Sequence, residues 1–550
     1  MTQSNPADAS TDVLIVGGGL GGVAAALAAA AAETRVILTE ESDWLGGQLT
    51  SQGVPPDEHQ WIDRVGSRSY RHLRSGIRHF YRDWYPLRAA VRRQPYLNPG
   101  AGSVSPLCHE PAVARAVIEG MLAQYASRGL LRVWLSTKPI RVDVDGDRIR
   151  GVSFLSLKTA REVTVQAKYV LDATETGDLL PMAGVEYATG AEAQSQTDEP
   201  HATSVAQPLN MQAASMCFVL DHIAGRDFTI DEPESFDYWS KFRASFWPNE
   251  QLSWTAPNPR TLEPTSYTFE PNPKEDPVIG VAHAPHLLRG SPLPVNNLWL
   301  YRRILARENF ETSSYESDLI VVNWPMNDYF NGPLFEVDKS AVERNLESAR
   351  QLSLSLLYWL QTAAPRPDGG AGWPGLRLRT DVFDTEDGLA KQPYVRESRR
   401  IHARYTVCEQ DVSRASRGAR GVQRYRDSVG VGYYRIDLHP STGGDNFIDI
   451  DTCPFEIPLG ALVPIRVRNL LPSAKNIGTT HITSGCYRLH PVEWSVGEAA
   501  GLLSAFCVMH SVSPEEVHGD DDQLAAFRAS LRARGVDLHW PNVIAKTFSA

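Results

Sequence analysis

The chain has 550 residues, 42% of them hydrophobic and 22% charged, which excludes wholesale disorder and accommodates three or four domains or two large interleaved ones. A net charge of −11 argues against nucleic acid as a partner, because phosphate binding needs a strong basic patch. The six cysteines form no C-x-x-C pair, which excludes a disulfide scaffold and a zinc ribbon and leaves buried, reduced thiols of a cytoplasmic protein as the expectation.

Residues 1–11 are polar and predicted to lack structure. From Val13 to Ala32 no residue is charged, a length that could span a bilayer. Asp8 and Asp12 precede this stretch, however, and the first basic residue is Arg35, so the positive start of a signal peptide is missing. Its five glycines point elsewhere, no other segment reads as long and apolar enough to span, and no membrane contact is expected.

Asp12–Val16 reads as a buried strand, the Ala-rich run after Gly22 as a helix, and Arg35–Glu40 as a second strand ending in an acid. Between the first strand and the helix lies G-x-G-x-x-G at Gly17, Gly19 and Gly22. Gly17 permits the tight turn, Gly19 lets backbone approach a pyrophosphate, and Gly22 lets the helix pack closely. The helix start offers free N–H groups and partial positive charge to phosphates. Glu40, 18 residues after Gly22, is placed to accept from a ribose diol and disfavours a 2′-phosphate. By itself this unit does not separate NAD from FAD. A second glycine pair, Gly46-Gly47, followed by Gln48, lets the backbone run along the cofactor, the arrangement expected with FAD.

Further along, Val133–Val165 reads as strands joined by tight turns, with a hairpin at Asp143–Asp147. Lys168–Asp178 reads as a buried strand ending in Asp172-Ala173 and an acid-rich turn. The segment 255–300 is rich in Pro and Asn and predicts a long irregular excursion. Pro491 opens a helix running to about His510, whose N-terminal dipole would face the pyrimidine edge of a reduced flavin. Gln523–Arg534 predicts an amphipathic helix.

Taken together, Gly17–Glu40, Leu45–Gln48, Cys108–Pro111, Asp172–Asp178, Asn323–Tyr329, Val395–Arg400, Ile436–His439 and Asn469–Gly501 resemble the FAD-dependent oxidoreductases over about residues 12–540. The resemblance implies an α/β fold: a Rossmann-like, glutathione-reductase-like FAD-binding domain built from 12–55, 105–215 and 445–511. An inserted α+β substrate or cap domain with an antiparallel sheet would comprise 56–104 and 216–444, and 512–550 a helical tail. Residues 56–104 would reach over the flavin. The cofactor contacts it implies are Gly17, Gly19, Gly22, Glu40, Gly46, Gly47, Gln48, Asp172, Ala173, Asn476, Arg488 and Val492.

A flavin dehydrogenase or oxidase needs a base for the alcohol or amine proton, and histidine suits that near neutral pH. His59, just beyond the glycine pair, and His490, at the start of the last long helix, are the expected bases; the alternatives are a satisfied loop histidine and a capping role. Arg396 and Arg399 flank Glu397-Ser398 and either grip a substrate carboxylate or join an internal Arg–Glu network. Asp328 is a second carboxylate on the substrate side or a turn residue. There is no P-loop, no G-x-S-x-G elbow, no H-E-x-x-H and no second G-x-G-x-x-G. The expectation is therefore oxidation of a small polar molecule, with specialised metabolism as the setting and no metal. Electrons would pass to dioxygen, a quinone or a protein, and the protein could work as a homodimer. An NAD(P)H-using flavin monooxygenase and a redox-inactive FAD-binding scaffold or partner subunit are the alternatives.

Overall fold

The computed structural model describes residues 8–282 and 296–549. Strand β1 (Asp8–Val16) carries four consecutive fully buried apolar residues, Val13 to Val16, as a strand covered on both faces must. It runs into helix α1 (Leu20–Ala31) and then strand β2 (Val36–Thr39), parallel to β1 with Val13 opposite Val36. Parallel strands joined by a helix form the unit read from the glycine fingerprint. β1 starts earlier than expected: Asp8 to Thr11 pair with Thr164 to Ala167, so part of the polar leader is strand. Residues 1–7 lie outside the described residues.

The main sheet has seven strands. β3 (Leu131–Trp134) lies beyond β2, and β4 (Thr137–Asp145), β5 (Arg148–Ser156) and β6 (Glu162–Asp172) form an antiparallel meander. β6 runs parallel to β1 from Thr164 to Asp172, and strand Leu470–Pro472 adds parallel to the end of β6 from the far end of the chain. The parallel core is thus assembled from segments hundreds of residues apart.

Helix His490–His510 covers this sheet beside α1. The contact depends on missing side chains: a β-carbon at Gly497 would stand 2.0 Å from the Gly21 carbonyl oxygen, and one at Gly501 2.3 Å from that of Ala25. By length and composition this helix could cross a membrane, contrary to the sequence reading, which singled out only Val13–Ala32; 89% of its most apolar stretch is buried inside the protein. The Val13–Ala32 stretch is the end of β1, the glycine turn and α1.

A second sheet is four-stranded and antiparallel, in the order Arg303–Leu305, Leu319–Val322, Phe218–His222, Leu376–Leu378. Helix Lys339–Thr362, capped by the Asp338 carboxylate accepting from the Ala341 N–H at 2.8 Å, lays Leu352, Leu356 and Leu360 onto a core shared with Phe218, Leu220 and Ile320. The expected irregular excursion contains a small hairpin, Thr255–Pro257 with Pro264–Ser266; residues 283–295 of it lie outside the described residues. The expected hairpin turns at Gly146, and the expected tail helix is Asp521–Ala533.

Candidate active site

Two cavities flank the extended segment Gln392–Arg396. Gln392, Pro393 and Val395 line one of about 310 Å³, whereas Tyr394 and Arg396 line the other, of about 500 Å³.

The smaller cavity holds the fingerprint. Gly17 has φ +105°, and a β-carbon there would stand 2.2 Å from the Ala173 carbonyl oxygen; at Gly22 one would meet the Gly17 oxygen at 1.9 Å. Gly19 precedes α1, and a β-carbon at Gly47 (φ +48°) would lie 2.9 Å from the Gly19 α-carbon, so the two glycine turns touch backbone to backbone. Gly46, at φ +110°, donates its N–H to the Gly18 carbonyl. Glu40 accepts from the N–H groups of Gly18 (2.7 Å) and Ser42 (2.8 Å), and burial pushes its carboxyl up to about 6.

The remaining expected cofactor residues divide. Ala173 lines the cavity. Asp172 does not; its carboxylate accepts from Thr174 and from the Leu179 N–H, which shapes the turn after β6. Asn476 donates to the Asp172 carbonyl at 3.0 Å and accepts from the Ala474 N–H, so it braces that turn. Val492 packs towards Gly432, away from both cavities. Arg488 lines the larger cavity, donating to the Tyr394 hydroxyl (2.8 Å) and the Asp437 carboxylate (3.1 Å). Gln48 donates to the Arg488 carbonyl and to Glu493.

Three ionic residues at the start of α1 escaped the sequence reading. Glu493 accepts from the Gly21 N–H at 3.2 Å, and the buried Lys475 pairs with Glu175 and stands 3.9 Å from Glu493. Burial alone would lower the Lys475 ammonium, but these carboxylates outweigh it and keep it charged. No spacing in the sequence joins positions 175, 475 and 493.

The larger cavity contains the titratable chemistry. His439 Nδ1 lies 2.5 Å from Asp328 Oδ2, and its Nε2 3.6 Å from Asp437. Asp328 also accepts from the Ser215 hydroxyl at 2.7 Å and pairs with Arg396 at 2.9 Å. Burial would raise the Asp328 carboxyl; Arg396 and His439 overcome it and hold it below the usual carboxylate range. Asp437 is held well down against burial by His439 and Arg488. Arg396 is therefore an internal ion-pair partner that also forms part of the wall, with further hydrogen bonds to the Ala213 carbonyl and Ser215. Arg399 pairs instead with Glu336 and Asp178.

The two histidines singled out in the sequence are poorly suited to act as bases. His59 lines the cavity, but its Nδ1 accepts from the Trp61 N–H, its ring meets Trp540 edge-on at 5.2 Å, and burial pushes it down to about 3. A base near neutrality needs a far higher value. His490 is wholly buried, lines neither cavity, accepts from the Asp57 N–H at Nδ1, and is held well below its ordinary value by burial and Arg302. The sequence signal for the His439 cluster was the spacing Asp437–His439: alternate residues at the end of strand Ile436–Leu438 share a face.

Whether these residues suit FAD can be judged from groups left without partners. Gln52 is fully buried, and neither end of its amide meets a partner among the described residues; the same holds for Gln48 Oε1 and His490 Nε2. A buried polar group left unpaired costs roughly 1–3 kcal/mol. None of these three side chains lines either cavity, so the fit rests on the glycine cradle, where a β-carbon at Gly17 or Gly22 would meet backbone and the N-terminus of α1 suits a diphosphate. The residues fit the cofactor.

The fold and site define a flavin-binding redox protein. The family model described as FAD dependent oxidoreductase matches residues 12–531, and the chain belongs to that family. Members of that family are FAD-dependent oxidoreductases. No curated protein matches the chain. Among solved structures it is similar to the rebeccamycin biosynthetic enzyme RebC with reduced flavin (16% identity, 40% of this chain and 39% of that one, TM-score 0.22). It is also similar to L-proline dehydrogenase from P. horikoshii (17% identity, 34% and 25%, TM-score 0.17). A third is the open conformation of a flavocytochrome c3 fumarate reductase (18% identity, 30% and 33%, TM-score 0.19). The chain thus spans only a quarter to two fifths of these proteins.

Proposed function

We propose that this chain is a dehydrogenase or oxidase that oxidises a small polar organic molecule in the 500 Å³ cavity, with His439 as the general base. The observation that carries this is the His439–Asp328 pair at 2.5 Å in the cavity wall. In the neutral form of the ring, with Asp328 accepting from Nδ1–H, the Nε2 lone pair would take the proton from a substrate hydroxyl or amine. Asp437, 3.6 Å from Nε2, stabilises the imidazolium that results. FAD, when bound, accepts the hydride. Gly17, Gly19 and the start of α1 would hold its diphosphate, Glu40 its ribose, and Lys475 would supply a counter-charge.

The seven-stranded sheet is read as an FAD domain of the glutathione-reductase type, with the four-stranded sheet as the inserted substrate domain. The mixed parallel and meander connectivity supports that reading. The test is anaerobic mixing of the purified flavoprotein with a panel of small alcohols, amines and hydroxy acids, and separately with NADPH. Bleaching of the flavin by a substrate alone supports the proposal. Bleaching by NADPH alone overturns it in favour of a monooxygenase. His439→Gln should retain FAD and slow reduction by substrate on the order of 10²- to 10⁴-fold; an unchanged rate would remove His439 from its role.

A further inference from the structure

Five described arginines line the larger cavity, and four have an oxygen partner within hydrogen-bond distance: Arg260 with Asp451, Arg396 with Asp328, Arg435 with Asp449 and Arg488 with Asp437. Arg302 differs. It follows the short helix Leu298–Tyr301, is only 9% exposed, and its Nε and Nη1 meet no partner among the described residues. Its nearest carboxylate, Asp57, lies 3.9 Å from Nη2, beyond hydrogen-bond reach. The Asp57 backbone N–H donates to His490, and the Arg302 guanidinium rests over the Tyr301 ring at 5.2 Å.

A buried guanidinium with open donors is costly and arises where an anion completes it. Its planar fork matches the two oxygens of a carboxylate. We propose that the molecule taken into this cavity carries a carboxylate and that Arg302 is the side chain that binds it. The term substrate rests on the oxidoreductase reading above, but the binding itself does not.

The test is therefore a titration without turnover. FAD-loaded protein is titrated with acetate, propionate, benzoate and inorganic phosphate, and with acetamide and benzamide as uncharged counterparts, with flavin fluorescence as the readout. At least one carboxylate should bind saturably while its amide does not. Arg302→Met should weaken that binding about 10- to 100-fold with the flavin spectrum unchanged, and Arg302→Lys should weaken it less. If Arg302→Met loses its FAD, the lysine variant and the carboxylate–amide contrast in the unaltered protein decide.

The proposal is overturned if no carboxylate binds, if phosphate binds in place of carboxylates, or if Arg302→Met binds as tightly as the unaltered protein. A changed flavin spectrum with unchanged carboxylate affinity would assign Arg302 to the cofactor and also overturn it. None of these results touches the redox reading, which is judged by whether a substrate bleaches the flavin.

Discussion

At Gly17 the backbone takes φ +105° with a carbonyl where a side chain would begin. Gly17→Ala adds backbone strain of order 1–3 kcal/mol to a clash with Ala173, so the variant should purify with little FAD and a lowered melting temperature. The FAD-to-protein ratio and a thermal melt check this; full FAD content would mean the turn is not the cradle. Asp328→Asn tests the dyad at the same scale. It keeps the shape but lets the amide present its N–H to His439 Nδ1, favouring the wrong tautomer. Reduction of the flavin by substrate should slow on the order of 10²-fold, with an altered pH profile for that rate. A merely structural Asp328 would change stability and leave the pH profile where it was. The histidines illustrate what a sequence hides at this scale: burial has lowered the basicity of both His59 and His490.

Among elements, the contact between α1 and helix His490–His510 sets how closely the sheet is covered. Gly501→Val would drive a side chain into the Ala25 carbonyl, 2.3 Å from its β-carbon, and should cost about 1–3 kcal/mol or more, read as a fall in the urea midpoint. Gly120 makes the opposite case. It sits in helix Pro111–Ser127, is exposed, and has nothing within 4 Å of its β-carbon position. Gly120→Ala should stabilise by about 0.5–1 kcal/mol, and a neutral or negative result would mean that the helix is not limited by its backbone entropy. Both helices were legible as elements, through the Ala run and the Pro491 start. Their mutual packing was not, because Gly497 and Gly21 are far apart in the chain and nothing in either segment names its partner.

For the molecule as a whole, pH acts through buried groups remote from the cavities. Glu199, fully buried, accepts from the Thr480 hydroxyl and the Glu409 N–H, yet burial pushes it up to about 7 from an ordinary 4.5. Its contribution is greatest below about pH 4.5 and is lost as pH rises through 7. His481 is raised because Glu397 outweighs burial; its contribution is present below 6.5 and lost as pH rises through its higher folded value. Glu397, held at about 2 chiefly by His481 against burial, contributes above 4.5 and is lost as pH falls through 2. Stability should therefore decline from mildly acidic towards alkaline pH. Glu199→Gln should flatten up to about 3 kcal/mol of that decline between pH 4.5 and 7 in urea midpoints taken across the range. An equally steep decline in the variant would place the titration elsewhere.

The strand–turn–helix–strand unit and its FAD fingerprint were determined by sequence alone, because every constraint in them is local: φ at Gly17, the helix start at Gly19 and the acid closing the next strand fall within about thirty residues. The proposed base, its partner and the open arginine were decided only by the tertiary structure. His439 meets Asp328 across 111 residues, and Arg302 stands open because no carboxylate among the described residues comes within hydrogen-bond reach of it. Pairing and desolvation over such separations are properties of the packed chain, which no local stretch of sequence displays.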